Sequence, residues 1–143
     1  MLRVDWGVDL PRELRVALAP FVDRYLDLLP SWCHTLEVRL ETDPEVDSDV
    51  TMAANYRYRV TTMRALPNFL LSSDLDREQT IVHEFAHVLG APLVDYIDAV
   101  VALLKKKDPD TAEMFKALQE SGEEASTEDI AQLLMRLTED RRA

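Results

Sequence analysis

The stretch Ile81-Val82-His83-Glu84-Phe85-Ala86-His87-Val88-Leu89-Gly90 carries the pattern H-E-x-x-H inside an apolar run. Ile81, Val82, Phe85, Ala86, Val88 and Leu89 cover most of the girth of a helix, the pattern of a central helix buried in a core. Three ionisable groups within such a helix require partners, because burying unpaired polar groups is costly. A helix turns every ~3.6 residues, so His83 and His87 lie one above the other on one face. Two imidazoles so placed can grip a single cation, and Glu84, next to the first, can reach a water on it. That donor set is the local chemistry of a zinc hydrolase. Ser72, Ser73 and Asp74 are N-cap candidates, and Asp74 and Asp76 suit a helix N-terminus. Gly90 reads as a C-terminal stop, which predicts a helix from about Asp74 to Leu89.

Upstream, Pro11 opens a helical pattern through Leu14, Leu18, Phe21, Val22, Tyr25 and Leu29, with a kink or break expected at Pro20. The period then changes to two. Leu36, Val38 and Leu40 alternate with Glu37, Arg39 and Glu41, a half-buried strand. An acidic stretch with Pro44 reads as an exposed loop. A second strand is predicted through Met52, Ala54, Tyr56, Tyr58 and Val60, its wet face carrying Asn55, Arg57 and Arg59 and its tyrosines packing across strands. The run from Leu66 to Leu71 contains Pro67 and reads as an edge strand or irregular extended segment. Downstream, Pro92 suits the first turn of another helix with Leu93, Ile97, Val100, Val101 and Leu104. A shorter helix starts at Asp108-Pro109, Gly122 breaks or bends the chain, and a last helix carries Ile130, Leu133, Leu134 and Leu137. The order is N-terminal helix, three strands, then helices. It predicts a single α+β domain over residues 1–143 with a small three-stranded, segregated sheet.

The 143 residues suffice for one real core, and 47% are hydrophobic. With 16 basic and 27 acidic residues the formal net charge is -11. That disfavours nucleic acid, which needs a basic face, and polybasic attachment to anionic membrane. A preference for cationic substrates is compatible with it, although an acidic surface is first a solubility device. Cys33 is the sole cysteine, so no intrachain disulfide is available, and a reducing, cytoplasmic compartment is expected. The first ten residues carry Arg3, Asp5 and Asp9 and do not read as a signal peptide. Of the three histidines, two lie in the motif, and His34 reads as a surface residue. Trp6 and Trp32 read as core or rim packing, and Cys33 as a small buried hydrophobe.

The motif resembles the signature of the zincin metallopeptidases. The metzincin extension would place a third histidine at Leu93, so the chain is closer to the gluzincin plan, in which a glutamate on a later helix completes the site. The resemblance covers residues from about 35 onward, with only the five-residue motif sharply specific. It implies Zn2+ held by His83, His87 and a later carboxylate, with Glu84 as general base, and hydrolysis of a peptide or protein substrate. It also implies an edge strand above the active-site helix, expected between Tyr56 and Leu71. The third ligand implied is Glu124, because Glu124-x-x-Thr127-x-x-Ile130-Ala131-x-Leu133-Leu134 resembles the ligand helix of compact gluzincin-like proteins. Glu123, seven residues before Ile130, is a rival, as are Asp95 and Asp98, which are close enough to fold back. The alternative is a zinc-binding but catalytically weak or inactive regulatory or virion-associated interaction module.

Overall fold

The computed structural model describes residues 2–139; residue 1 and residues 140–143 lie outside that set. Among the described residues the chain forms four strands and three α-helices: β1 (Arg3–Trp6), α1 (Arg12–Tyr25), β2 (Thr35–Leu40), β3 (Val50–Asn55), β4 (Val60–Ala65), α2 (Asp74–Lys105) and α3 (Pro109–Leu137). The class is α+β. The sheet order is β1-β2-β4-β3, with β1, β2 and β4 mutually parallel and β3 antiparallel to β4.

One face of the sheet is apolar. Leu36, Val38, Met63 and Ala65 are buried there with Thr61. The alternate residues, Glu37, Arg39, Thr62 and Arg64, point the other way, as the strand period of two requires. The apolar face joins one core with Leu14, Leu18, Val22 and Tyr25 of α1 and with Ile81, Val82, Phe85 and Ala86 of α2. α3 closes it from the far side of α2 through Ala131 and Met135. Pro20 does not break α1. Pro20 and Val16 both lie on its exposed side, where water can take the carbonyl that proline leaves unpaired.

Several sequence expectations need correction. The chain opens on a strand, and the sheet has four strands rather than three. β1 is four residues long and polar at Arg3 and Asp5, too short for a period to register; parallel pairing of Val4 with Leu36 holds it. The strand predicted through Met52–Val60 is a hairpin, because Tyr56-Arg57-Tyr58-Arg59 form its turn. The Asn55 side chain accepts from the Tyr58 amide there (3.3 Å), and Arg59 takes the left-handed conformation at φ 59°. Tyr56 and Tyr58 are therefore exposed on the turn rather than paired across strands, and Arg57 and Arg59 lie on the turn rather than on a wet strand face. Leu66–Leu71 is mostly a 3-10 turn (Pro67–Leu71) whose Phe69 plugs the core.

The helices are longer than predicted. Ser73 caps α2 by accepting from the Asp76 amide (3.2 Å), but Gly90 does not stop it and Pro92 lies in its interior. A glycine stop needs a left-handed backbone, and no glycine among the described residues has positive φ. α3 likewise runs through Gly122 as one 29-residue helix. Its start matches the prediction: Asp108 accepts from the Thr111 amide (3.2 Å) and from its hydroxyl (2.6 Å). Those bonds hold the Asp108 carboxyl below its usual value. By length and composition α2 could cross a membrane, with an 18-residue window at mean hydropathy 1.6. The core described above covers the N-terminal half of α2, whereas only 17% of that apolar window is buried.

Candidate metal centre

His83 and His87 leave α2 on the side that faces α3, opposite the face that Val82 and Phe85 bury in the core. Their rings stand 4.9 Å apart, centroid to centroid, at 82°. Together with Glu84 they bring one donor atom each to within 4.8 Å of one another. α3 runs past this face and presents Glu123, Glu124, Thr127 and Glu128. Glu124 meets both rings: its Oε1 is 3.0 Å from His83 Nε2, and its Oε2 is 3.5 Å from His87 Nε2. Two ligands of a tetrahedral zinc, each ~2.0–2.1 Å from the metal, stand about 3.3 Å apart. Both distances lie close to that separation.

The opposite ring nitrogens have their own acceptors. His83 Nδ1 is 2.9 Å from Glu128 Oε2. His87 Nδ1 is 3.3 Å from Thr127 Oγ1, with Glu123 Oε1 at 3.6 Å. Metal-bound histidines commonly donate their second N–H to a carboxylate or other acceptor in this way. His83 thus has carboxylate oxygens against both nitrogens. A neutral imidazole owns one N–H and cannot serve both. With Nδ1–H donating to Glu128, the Nε2 lone pair faces a carboxylate, and either a second ring proton or a metal cation between them reconciles the two. The donor set therefore fits a divalent metal on its own chemistry.

Glu84 points toward the sheet edge rather than toward α3. Burial is the main force on it and pushes its carboxyl up to about 7. The nearby His83 opposes that rise, the Glu124 charge adds to it, and a backbone hydrogen bond from Met52 on β3 opposes it. Glu128 has the reverse tendency: Gln132 first, and then His83, donate to it and hold it below its usual value.

A cleft of about 490 Å³ opens over His83, Glu84 and His87, flanked by Thr51, Met52 and Ala54 of β3. A second, of about 510 Å³, adjoins it at His83 and Glu84 and continues past Val50. The free edge beside the centre is therefore β3, Val50–Asn55. The expectation of an edge between Tyr56 and Leu71 is wrong, because β4 is interior and the rest is turn.

Of the sequence candidates, His83, Glu84, His87 and Glu124 converge. Glu123 stands beside His87 but faces Nδ1, the outer nitrogen. Asp95 lines the same cleft, two turns beyond His87. Asp98 lies farther along the α2–α3 groove, with Lys105 and Lys116. Glu123 and Glu124 both sit inside α3. Glu128 and Thr127 were missed. Their signal is the stripe Glu124, Thr127, Glu128, Ala131 and Met135, which keeps the i, i+3/i+4, i+7 spacing of one helix face and is readable only if the chain runs unbroken through Gly122.

Comparisons with protein-family models, with curated proteins and with solved structures found no match. What the site does is read from its own geometry.

Proposed function

We propose that the protein is a zinc-dependent peptidase whose metal is held by His83, His87 and Glu124. The observation that carries this reading is the double approach of Glu124 to the two Nε2 atoms, at 3.0 and 3.5 Å, while other acceptors take the outer nitrogen of each ring. Zinc bound there supplies Lewis acidity toward a carbonyl oxygen and brings the pKa of a water to roughly 7. The chain's own residues do the rest. Glu84, one residue from a ligand and turned toward the cleft, takes a proton from the attacking water and returns it to the leaving amine. In the metal-free protein burial pushes its carboxyl up to about 7, and a divalent cation beside it would draw it back toward the carboxylate that the base role needs. Glu128 and Thr127 fix the ring orientations. β3 offers an open strand edge along which an extended substrate can lie. No covalent intermediate is required.

Purified without chelator, the protein should contain about one zinc per chain by elemental analysis and cleave members of a broad peptide library. Glu84→Gln should retain the zinc and lose at least ~10²-fold in rate, the usual contribution of general-base catalysis. Cleavage by Glu84→Gln at the wild-type rate would remove Glu84 from this role. A second reading has its own support. Leu89, Leu93, Tyr96 and Leu103 recur at i, i+4, i+7 and i+14 along α2 and are exposed at 37%, 64%, 68% and 66%. Such a stripe suits a zinc-stabilised interaction module with little or no hydrolysis. Zinc content without cleavage of any library member would favour it.

A further inference from the structure

The charged side chains that line the walls of the cleft are all acidic, the two site histidines apart. On one side of Glu84 the lining carboxylates are Asp47, Asp49 and Glu128. On the other they are Asp95, Glu123 and Glu124. Among the described residues that line either arm there is no lysine or arginine. A bound metal does not remove this charge. A divalent cation offsets Glu84 and Glu124, which leaves Asp47, Asp49, Asp95, Glu123 and Glu128. The partners of three of these are neutral or shared with the site: Ser72 on Asp49 (3.0 Å), Gln119 on Glu123 (2.8 Å), and Gln132 with His83 on Glu128 (both 2.9 Å). Neutral donors orient a carboxylate without cancelling its charge.

The shape of the cleft is an independent observation. The two arms, about 490 and 510 Å³, meet at His83 and Glu84 and together run along β3, with Val50 beside one arm and Thr51, Met52 and Ala54 beside the other. β3 is an edge strand, and its Met52 backbone reaches Glu84. An elongated trough along an open strand edge receives an extended chain, with side chains entering on both sides of the central carboxylate.

We infer that the preferred substrate is a peptide segment bearing Lys or Arg on both sides of the bond positioned over Glu84, an inference that rests on the peptidase reading above. Side chains entering either arm meet several carboxylates of one sign; Asp47, Asp95 and Glu128 are exposed, so the attraction is the summed field of the cleft rather than that of a buried pair. An acidic peptide meets repulsion in both arms.

The test uses the zinc-loaded full chain and three peptide libraries of the same small and apolar residues, diluted with Lys, Gln or Glu. The Lys library should be cleaved about tenfold faster than the Gln library, and the Glu library slowest. The advantage should shrink at about 0.5 M salt, where screening acts within a few ångström. Asp47→Asn combined with Asp95→Asn should erode the Lys advantage at unchanged zinc content. Asp23→Asn combined with Glu113→Gln, which removes the same charge from positions lining neither arm, should not. Equal cleavage of the three libraries overturns the inference and leaves hydrolysis standing. If no library is cleaved, the peptidase reading falls, and fluorescence anisotropy of the same peptides on zinc-loaded Glu84→Gln decides the cleft's preference. Tighter Lys-peptide binding that depends on Asp47 and Asp95 upholds it; equal or absent binding overturns it.

Discussion

His83 is held between two carboxylates, Glu124 at 3.0 Å and Glu128 at 2.9 Å, and this contact explains much of the site. Glu128 stands against Nδ1, which leaves Nε2 for the proposed cation. Glu128→Gln should weaken zinc binding by about 10–100-fold, the usual cost of losing an outer partner, as read by competition with a chelator. Unchanged affinity would mean that Glu128 does not orient the ring. Glu84 makes a second residue-level prediction, for metal-free protein. Its folded pKa, about 7, is above the 4.5 of the unfolded chain, so the folded state binds the extra proton between those values. Its contribution to stability is therefore fully present below about pH 4.5 and is lost as pH rises through 7. Glu84→Gln should remove that loss, so the variant should exceed wild type at pH 8 by on the order of 2 kcal/mol and match it near pH 4. Urea titrations in chelator at the two pH values measure the difference; a variant less stable at pH 8 would contradict a carboxylate whose burial outweighs its favourable partners.

At the scale of elements, α2 and α3 are long because they pack against each other. Gly90, Pro92 and Gly122 are local stop signals, and each is overridden. Interior proline costs about 3 kcal/mol and interior glycine about 1. Val88, Ala91 and Val101 on α2 and Ala112, Thr127 and Ala131 on α3 are buried and offset those costs. A Cβ added at Gly122 meets nothing within 4 Å. Gly122→Ala should therefore stabilise the protein by about 0.5–1 kcal/mol in chemical denaturation, and a destabilised variant would argue against an unbroken α3. Gly7 is the contrasting case. An added Cβ would stand 2.9 Å from the Val38 carbonyl oxygen, to which the Gly7 amide also donates at 2.9 Å. Gly7→Ala should cost about 1–3 kcal/mol and loosen β1 from β2.

For the whole molecule, burial is uneven. Residues 74–88 of α2 meet the sheet and α1, whereas beyond Gly90 the large apolar side chains Leu93, Tyr96, Leu103, Met114 and Leu118 are exposed. The distal parts of α2 and α3 thus hold chiefly to one another. Amide exchange should be faster in residues 95–120 than in 78–88, because local opening there exposes little buried surface. Equal protection would place the hairpin in the same cooperative unit as the core. This division also marks what could be read in advance. The i, i+4 pair His83 and His87, the adjacent Glu84, the buried face of the central helix and the strand at Leu36–Leu40 follow from residue periodicity, which is a local property of the chain. The α+β class follows from the order of those periods. The β1–β2 pairing and the passage through Gly90, Pro92 and Gly122 were decided only by tertiary contacts, the passage outweighing local helix-stop preferences of about 1–3 kcal/mol; the turn at Tyr56–Arg59 became visible through the pairing of β3 with β4. The approach of Glu124 and Glu128 to the histidines belongs with them. It depends on the register of two consecutive helices, which brings together residues 40 to 45 positions apart, and packing, not spacing along the chain, sets that register.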